Sequence, residues 1–540
     1  MRQFKILGVV LGAALMVAGC GGGGGGDTFG TQVANPVRGQ LMQSPPAVIT
    51  SLTPEGFKDS LSASAAGQGL LELSTGSTTG DLPCGVDVQY IKYGTVGGAG
   101  EQTDASGALM VPTGTATQCT GARPIVLYGH GTNITKRYNL AEIADSTNPA
   151  NGESVLLAAM YAAQGYIVVA PNYAGYDSSS LSYHPYVNAD QQSKDMIDAL
   201  AAAKSALPAG KASAKLFVTG YSQGGFVAMA TVRAIQALND PDLTVTASAP
   251  MSGPYALAAY LDAIFYGNVA LGSTAFAPLT TNSFQKSYGN IYTTPADIYE
   301  ANYATGIESL VPGDYDFTTV YSSGKLPQTA LFSSTAPTAP AGLPAIVQGT
   351  LTAATAPFTT GAATDALFNA GFGTSNLINN NARLSYLLDA MTNPDGAVPL
   401  TALPLPATAP ASPLRIAAKK NDLRLGWMGP STPTLLCGGS ADPTVFFKVN
   451  TELMAGIWPA QVANRLVTVL DVDSDPGTPG VTNPFYAAKA GFAQQKAALI
   501  ASAGANAATA VTTAYHGSLV PPFCNAAARG FFSQFLAAPV

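Results

Sequence analysis

A serine, an aspartate and a histidine, far apart in this chain, have the surroundings that nucleophilic chemistry requires. Ser222 stands in Gly220-Tyr221-Ser222-Gln223-Gly224-Gly225, after the apolar run Leu216 to Thr219 and before the apolar, helix-forming segment Phe226 to Ile235. That spacing predicts a strand, a sharp turn and a helix, with the Ser222 hydroxyl exposed on strained backbone at the strand's C-terminal end. Gly220 and Gly224 leave room where strand and helix approach. The Gln223 N–H, at the start of the helix, can face an anion. A serine hydroxyl is a weak nucleophile until an imidazole takes its proton. The chain has three histidines, His130, His184 and His516. Where such an elbow sits on an open parallel sheet, the order along the chain is serine, acid, histidine, and only His516 satisfies it. The acid should follow a strand between them. Leu435-Leu436-Cys437-Gly438-Gly439-Ser440-Ala441-Asp442 fits, and Asp442 would orient His516 and stabilise its cation. Asp471 and Asp473, after the next apolar run, are rivals.

Other groups fall around this constellation. His130, in Tyr128-Gly129-His130-Gly131-Thr132, precedes the serine and is expected to hold a loop. The anion site would combine the Gln223 N–H with one from Gly131 or Thr132. His184, in Ser182-Tyr183-His184-Pro185, reads as loop structure or pocket wall. Tyr173, Tyr176 and Tyr221 lie near the expected mouth, where they could line an aromatic or acyl pocket or simply pack the loops. Asp471-Val472-Asp473-Ser474-Asp475 looks like half a calcium loop but lacks its central glycine and later ligands. Few histidines and scattered cysteines argue against a zinc cluster. Neither metal nor cofactor is expected.

The elements that must position these groups are legible as a rhythm. Val86 to Val96 and Gly107 to Val111 read as leading antiparallel strands. Strands at Pro124 to Tyr128, Tyr166 to Ala170, Leu216 to Thr219 and Val245 to Ala249 alternate with helices at Gly152 to Gln164, Asn188 to Leu207 and Gly225 to Leu238. Apolar strands separated by helices predict a mostly parallel sheet covered on both faces. From Met251 to Gly429 the rhythm is lost, and the stretch reads as a mainly helical cap over the sheet's top edge. Strands resume at Thr432 to Leu436 and Leu466 to Asp471. Helices are expected at Phe485 to Ser502 and Phe531 to Leu536.

The N-terminus reads as an export signal. Met1-Arg2-Gln3-Phe4-Lys5 is followed by an apolar run too short to span a membrane, which ends in Val17-Ala18-Gly19-Cys20. Those four residues resemble the bacterial lipoprotein processing box, which implies cleavage before Cys20 and lipidation of its thiol. Gly21 to Gly26 form a flexible tether. The absence of Asp after Cys20 implies outer-membrane sorting in a Gram-negative cell. No later stretch demands a second membrane span. Losing Arg2 and Lys5 takes the formal charge from −7 to −9, with 23 basic against 32 acidic residues. With no basic patch, nucleic acid and anionic membrane surfaces are poor partners. Four cysteines remain. An even count in an exported chain favours two disulfides, whose connectivity spacing alone does not settle. Cys84–Cys119 would tie the early hairpin, and Cys437–Cys524 would join two loops near the site. The expected division is a leader at 1–19, a tether and extension at 20–80, core at 81–250, cap at 251–429 and core again at 430–540.

Four motifs carry a resemblance: Tyr128-Gly129-His130-Gly131-Thr132, Ala170-Pro171-Asn172-Tyr173-Ala174-Gly175-Tyr176-Asp177, the Ser222 elbow, and Ala441-Asp442-Pro443-Thr444-Val445. Together they resemble the alpha/beta-hydrolase superfamily, and within it bacterial exported esterases and the secretory lipase family. The resemblance implies carboxylic-ester hydrolysis through an acyl-enzyme, on a small-molecule or lipid ester, beneath a helical cap. The same machinery suits a serine peptidase of aminopeptidase type or a polyester depolymerase. A non-catalytic surface-binding protein on the same fold is the alternative of a different class.

Overall fold

The computed structural model describes residues 37–536, apart from 78, 363, 399–403 and 481. The leader, Cys20 and the glycine tether lie outside the described residues.

Nine strands form one sheet. They are β1 (Ala47–Leu52), β2 (Gly85–Val96), β3 (Gln102–Thr113), β4 (Arg123–Gly129), β5 (Ile167–Pro171), β6 (Ala212–Tyr221), β7 (Ala247–Met251), β8 (Thr434–Gly438) and β9 (Val467–Asp471). Their order is β1-β2-β3-β5-β4-β6-β7-β8-β9. β1, β2 and β3 run antiparallel to their neighbours, and the six strands from β5 to β9 are parallel. The central strands are buried along almost their whole length, so they read as continuous apolar runs rather than as alternation. Helices α3 (Asn151–Met160), α4 (Ala189–Ala206) and α5 (Gln223–Leu238) supply the crossovers. This is the mostly parallel, helix-covered sheet with a large insertion that the rhythm predicts.

The segment 27–80 is not a loose extension where it is described. β1 pairs with β2, and α1 (Pro54–Ser62) and α2 (Ala65–Thr75) bury Phe57, Leu61 and Leu71 in the main core. Each such side chain contributes about 1.5–3 kcal/mol of burial. The polar residues that suggest a linker are helix caps: Thr53 accepts from the Gly56 N–H and Ser64 from the Gly67 N–H. β3 also begins earlier than the sequence suggests, because its full length pairs with β2.

A second correction concerns the C-terminal region. The last described helix is Val520–Ser533 rather than 531–536, and His516 lies in a wide helical turn, Tyr515–Leu519, just before it. Pro521 and Pro522 read as a break, but proline is tolerated in a helix's first turn. Tyr486–Ser533 is long and apolar enough by composition to cross a bilayer, which the sequence reading did not anticipate. Here it is divided among three helices, the last of which packs Phe532 against Phe217 of β6.

The insertion after β7 is mainly helical. Its helices include α6 (Leu257–Phe265), α7 (Ser273–Tyr288), Asn380–Thr392 and Pro413–Lys420. Buried arginines fasten it. Arg415 grips Asp262 with two bonds and Asp389 with a third, and Arg424 makes two bonds to each of Asp395 and Asp422. Among the described residues, no acid pairs with Arg383. Its guanidinium donates to Thr355 Oγ1 and to the Ala354 and Phe265 carbonyls, beneath Phe332 and Phe372. Disulfides join Cys84 to Cys119 and Cys437 to Cys524. The second links strand β8 to the helix Val520–Ser533, not two loops.

Candidate active site

β6 ends at Tyr221 and α5 begins at Gln223, so Ser222 is the whole connection. Its φ is 60°, a region that non-glycine residues rarely occupy. The Ser222 N–H donates to the Met251 carbonyl at 3.0 Å, which anchors the turn to β7. The flanking glycines are sterically required. A Cβ on Gly220 would lie 2.3 Å from the Gly224 carbonyl oxygen, and one on Gly224 would lie 1.8 Å from that of Gly129.

The structure brings the three distant groups into one line. His516 Nε2 lies 2.8 Å from Ser222 Oγ, and His516 Nδ1 lies 2.6 Å from Asp442 Oδ2. The other Asp442 oxygen accepts from the Thr444 and Val445 N–H groups. With both its oxygens engaged, the carboxylate is fixed in orientation. It fixes the tautomer in turn: Nδ1 carries the proton, leaving Nε2 free to accept from the Ser222 hydroxyl.

The rival acids have other partners. Asp471 accepts from the Ser440 and Asp473 N–H groups. Asp473 accepts from the Tyr515 hydroxyl at 2.7 Å and pairs with Lys496. Tyr515 itself accepts from the Ala441 N–H. Both aspartates therefore brace the loop that carries Asp442. Among the described residues, no cluster of histidine, cysteine, aspartate or glutamate could hold a metal ion.

Around the anion site the two loop candidates separate. The Gly131 N–H donates to Glu153 Oε1 at 3.2 Å, whereas Thr132 faces the cavity beside Ser222 and Gln223. Glu153 also accepts from the Tyr128 and Tyr138 hydroxyls, at 2.9 and 2.6 Å. It is a loop-bracing carboxylate that the sequence reading missed, since an acidic residue in the first turn of α3 reads as ordinary helix chemistry. His130 is fully buried between Tyr138 and Tyr173, with its nitrogens against the Gly131 and Asn172 carbonyls. Burial pushes its pKa down.

Of the two readings of Tyr173, Tyr176 and Tyr221, pocket lining or loop packing, the contacts match loop packing, and none of the three lines the cavity beside Ser222. The Tyr173 hydroxyl donates to the His130 carbonyl, and that of Tyr176 to the Asn133 carbonyl. The Tyr221 hydroxyl donates to the His516 carbonyl at 2.7 Å, so it holds the His516 backbone. These hydroxyls need acceptors, and backbone carbonyls supply them inside the protein. The cavity that opens on Ser222 runs into the cap. Leu257, Tyr260, Leu261, Ile264 and Phe265 of α6 wall it, with Phe276 of α7. Among the described residues, neither an acidic nor a basic side chain lines it. The apolar stretch Tyr255 to Phe265 was the available signal for this wall.

Comparison with known proteins gives this geometry a family. A model of the prolyl oligopeptidase family matches residues 154–238, the stretch that carries the elbow. No curated protein matches the sequence. Among solved structures, the chain is similar to a ligand-bound form of the rice cell wall degrading esterase LipA from Xanthomonas oryzae. Identity is 27% and the TM-score 0.60, over 81% of this chain and 91% of that one. A second structure of the same esterase is 26% identical, with a TM-score of 0.59, over 89% and 98% of the two chains. The chain belongs to the alpha/beta-hydrolase superfamily. A putative hydrolase from Legionella pneumophila shares the fold at 18% identity and a TM-score of 0.59, over 93% and 99% of the two chains. At the level of family, this alpha/beta-hydrolase resembles esterases and lipases, with the cap lying between the strand that carries its elbow serine and the strand that precedes Asp442.

Proposed function

We propose that the protein is a serine carboxylic-ester hydrolase whose nucleophile, base and acid are Ser222, His516 and Asp442. The observation that carries this reading is the Asp442–His516–Ser222 hydrogen-bonded line opening on an uncharged, apolar chamber. Ser222 Oγ attacks the ester carbonyl as its proton passes to His516 Nε2. The developing oxyanion lies against the Gln223 N–H and the Thr132 N–H. His516 then returns the proton to the departing alcohol. Water, deprotonated by the same nitrogen, hydrolyses the acyl-enzyme and regenerates Ser222. The apolar wall of α6 receives the hydrocarbon part of the substrate.

The amide-cleaving alternative draws support from the family model that matches the elbow region. Against it, the chamber offers no charged side chain to grip a peptide terminus. A chamber walled by cap helices also suits a small-molecule or lipid ester better than a polymer surface. We further propose that the mature protein begins at Cys20 and is held at the bacterial outer membrane by lipid on that residue, with the polyglycine stretch as spacer. Metabolic labelling with a palmitate analogue, lost in Cys20→Ser, tests the anchor.

The test of the reaction is a phosphonate probe read by intact mass, beside p-nitrophenyl esters from acetate to palmitate. Labelling and turnover that both vanish in Ser222→Ala, with the thermal midpoint retained, are expected. Labelling with peptide but not ester turnover would move the assignment to a peptidase. Neither labelling nor turnover would leave a binding protein on a hydrolase fold.

A further inference from the structure

His184 is one of three histidines, and the triad does not use it. It is buried on the loop that precedes α4. Its Nδ1 lies 2.9 Å from the Ala174 carbonyl oxygen. A carbonyl only accepts, so Nδ1 carries the hydrogen and Nε2 presents a lone pair. The Gln223 side-chain amide nitrogen donates to that lone pair at 2.6 Å. The Gln192 amide nitrogen stands farther off, at 3.5 Å. The amide orientation follows from the tautomer. Turning Gln223 over would place its oxygen against the Nε2 lone pair and lose the bond. As placed, Gln223 Oε1 has no partner among the described residues, and the bond to His184 is the one hydrogen bond its side chain makes among them.

The ring cannot easily move. Tyr173 stacks near it with centroids 5.6 Å apart, and Tyr176 tilts against it at 4.7 Å. Ala174, whose carbonyl holds Nδ1, is fixed by its own N–H, which donates to Asp195 Oδ2 on α4 at 2.7 Å. Burial holds His184 near pKa 3, so the ring stays neutral at physiological pH. A continuous line of contacts thus runs from α4 through Ala174 and His184 to Gln223. Gln223 is the first residue of α5, next to the nucleophile, and its N–H is assigned above to the oxyanion.

We propose that His184 is a positioning residue for the oxyanion hole: by holding the Gln223 side chain it sets the peptide plane whose N–H meets the developing charge. This rests on the ester-hydrolase reading. An oxyanion donor works because it is aimed before the charge appears, and removing one outright costs about 100- to 1,000-fold in kcat. Loosening one while keeping its backbone N–H should cost less, about 10-fold.

The test compares Gln223→Met, His184→Ala and the double variant, in the full mature chain. Gln223→Met keeps the shape and the backbone N–H but removes the side-chain donor, so the idea survives if His184→Ala alone fails to fold. Three readouts are used: kcat and KM on a p-nitrophenyl ester, and affinity for a trifluoromethyl ketone, which builds a tetrahedral oxyanion on Ser222. Expected is a kcat about 10-fold lower with KM within about twofold, and ketone affinity weakened by a similar factor. The double variant should be no worse than the poorer single one, since both cut the same link. Wild-type kcat and ketone affinity in Gln223→Met, or losses that multiply in the double variant, would overturn the proposal while leaving the esterase intact. A wild type with no ester turnover would overturn the underlying reading first.

Discussion

In the sheet, the central strands are buried almost throughout, and Ser222 and Asp442 follow the C-terminal ends of two of the parallel strands. In the cap, buried charge does the fastening: Arg415 bridges Asp262 and Asp389, and Arg424 bridges Asp395 and Asp422. One apolar cluster nevertheless runs through both regions. The difference lies in what each must keep fixed. The sheet holds reacting atoms through short loops anchored on strands. The cap is an insertion with few long elements, and its helices are located by specific donor–acceptor matches rather than by sheet register. Removing a partner from such a network is costly because it strands the remaining charges away from water.

The largest expected effect is chemical and confined to the core. Asp442→Asn should lower kcat about 10³- to 10⁴-fold, by allowing the wrong imidazole tautomer, with little change in thermal midpoint. Asp473→Asn should cost only a few-fold, and the reverse ranking would reassign the acid. Next comes the cap. Arg424→Met leaves Asp395 and Asp422 buried without a cation and should cost about 3–5 kcal/mol in urea unfolding. Limited proteolysis should then cut the cap before the sheet; simultaneous cutting would erase the distinction drawn here.

The third effect is a pH slope in the core. Asp195 is fully buried, and burial raises its pKa from 3.8 to about 6. Between those values the folded state binds the extra proton. Stability therefore falls as pH rises through that window, by about 3 kcal/mol, and is highest on this account below pH 4. Asp195→Asn should flatten the slope in denaturation series taken at several pH values. The smallest effect probes the chamber. Leu261→Trp should shift the preferred ester toward shorter acyl chains by a few-fold in kcat/KM, without altering phosphonate labelling of Ser222.

These two regions were also unequally legible in the sequence. Strands such as Ile125–Tyr128 and Val168–Ala170 announce themselves because burial on both faces forces an unbroken apolar run. The elbow is legible because close backbone approach dictates Gly220 and Gly224. The cap's arginine pairs are not, since Asp262 and Arg415 meet across a long sequence interval that leaves no periodic trace. Segment 47–75 was misread because caps and linkers draw on the same residues, serine and threonine. Tyr173, Tyr176 and Tyr221 sit in the right motifs, but sequence gives no direction to a side chain, and theirs point into the loops they brace. Glu153 and the Gln223–His184 contact were invisible for the same reason.

The Cys437–Cys524 bond has a topological consequence. It closes a ring of chain in which both Asp442 and His516 lie, with the proline- and glycine-containing stretch from Asp475 to Asn483 between them. A protease that severs that stretch produces a nicked enzyme, not two fragments. The cut ends remain tied through the sulfurs, and Asp442 and His516 stay members of one covalent body. Only a cut combined with a reductant parts them, so a nicked, oxidised sample should keep its turnover and lose it when dithiothreitol is added.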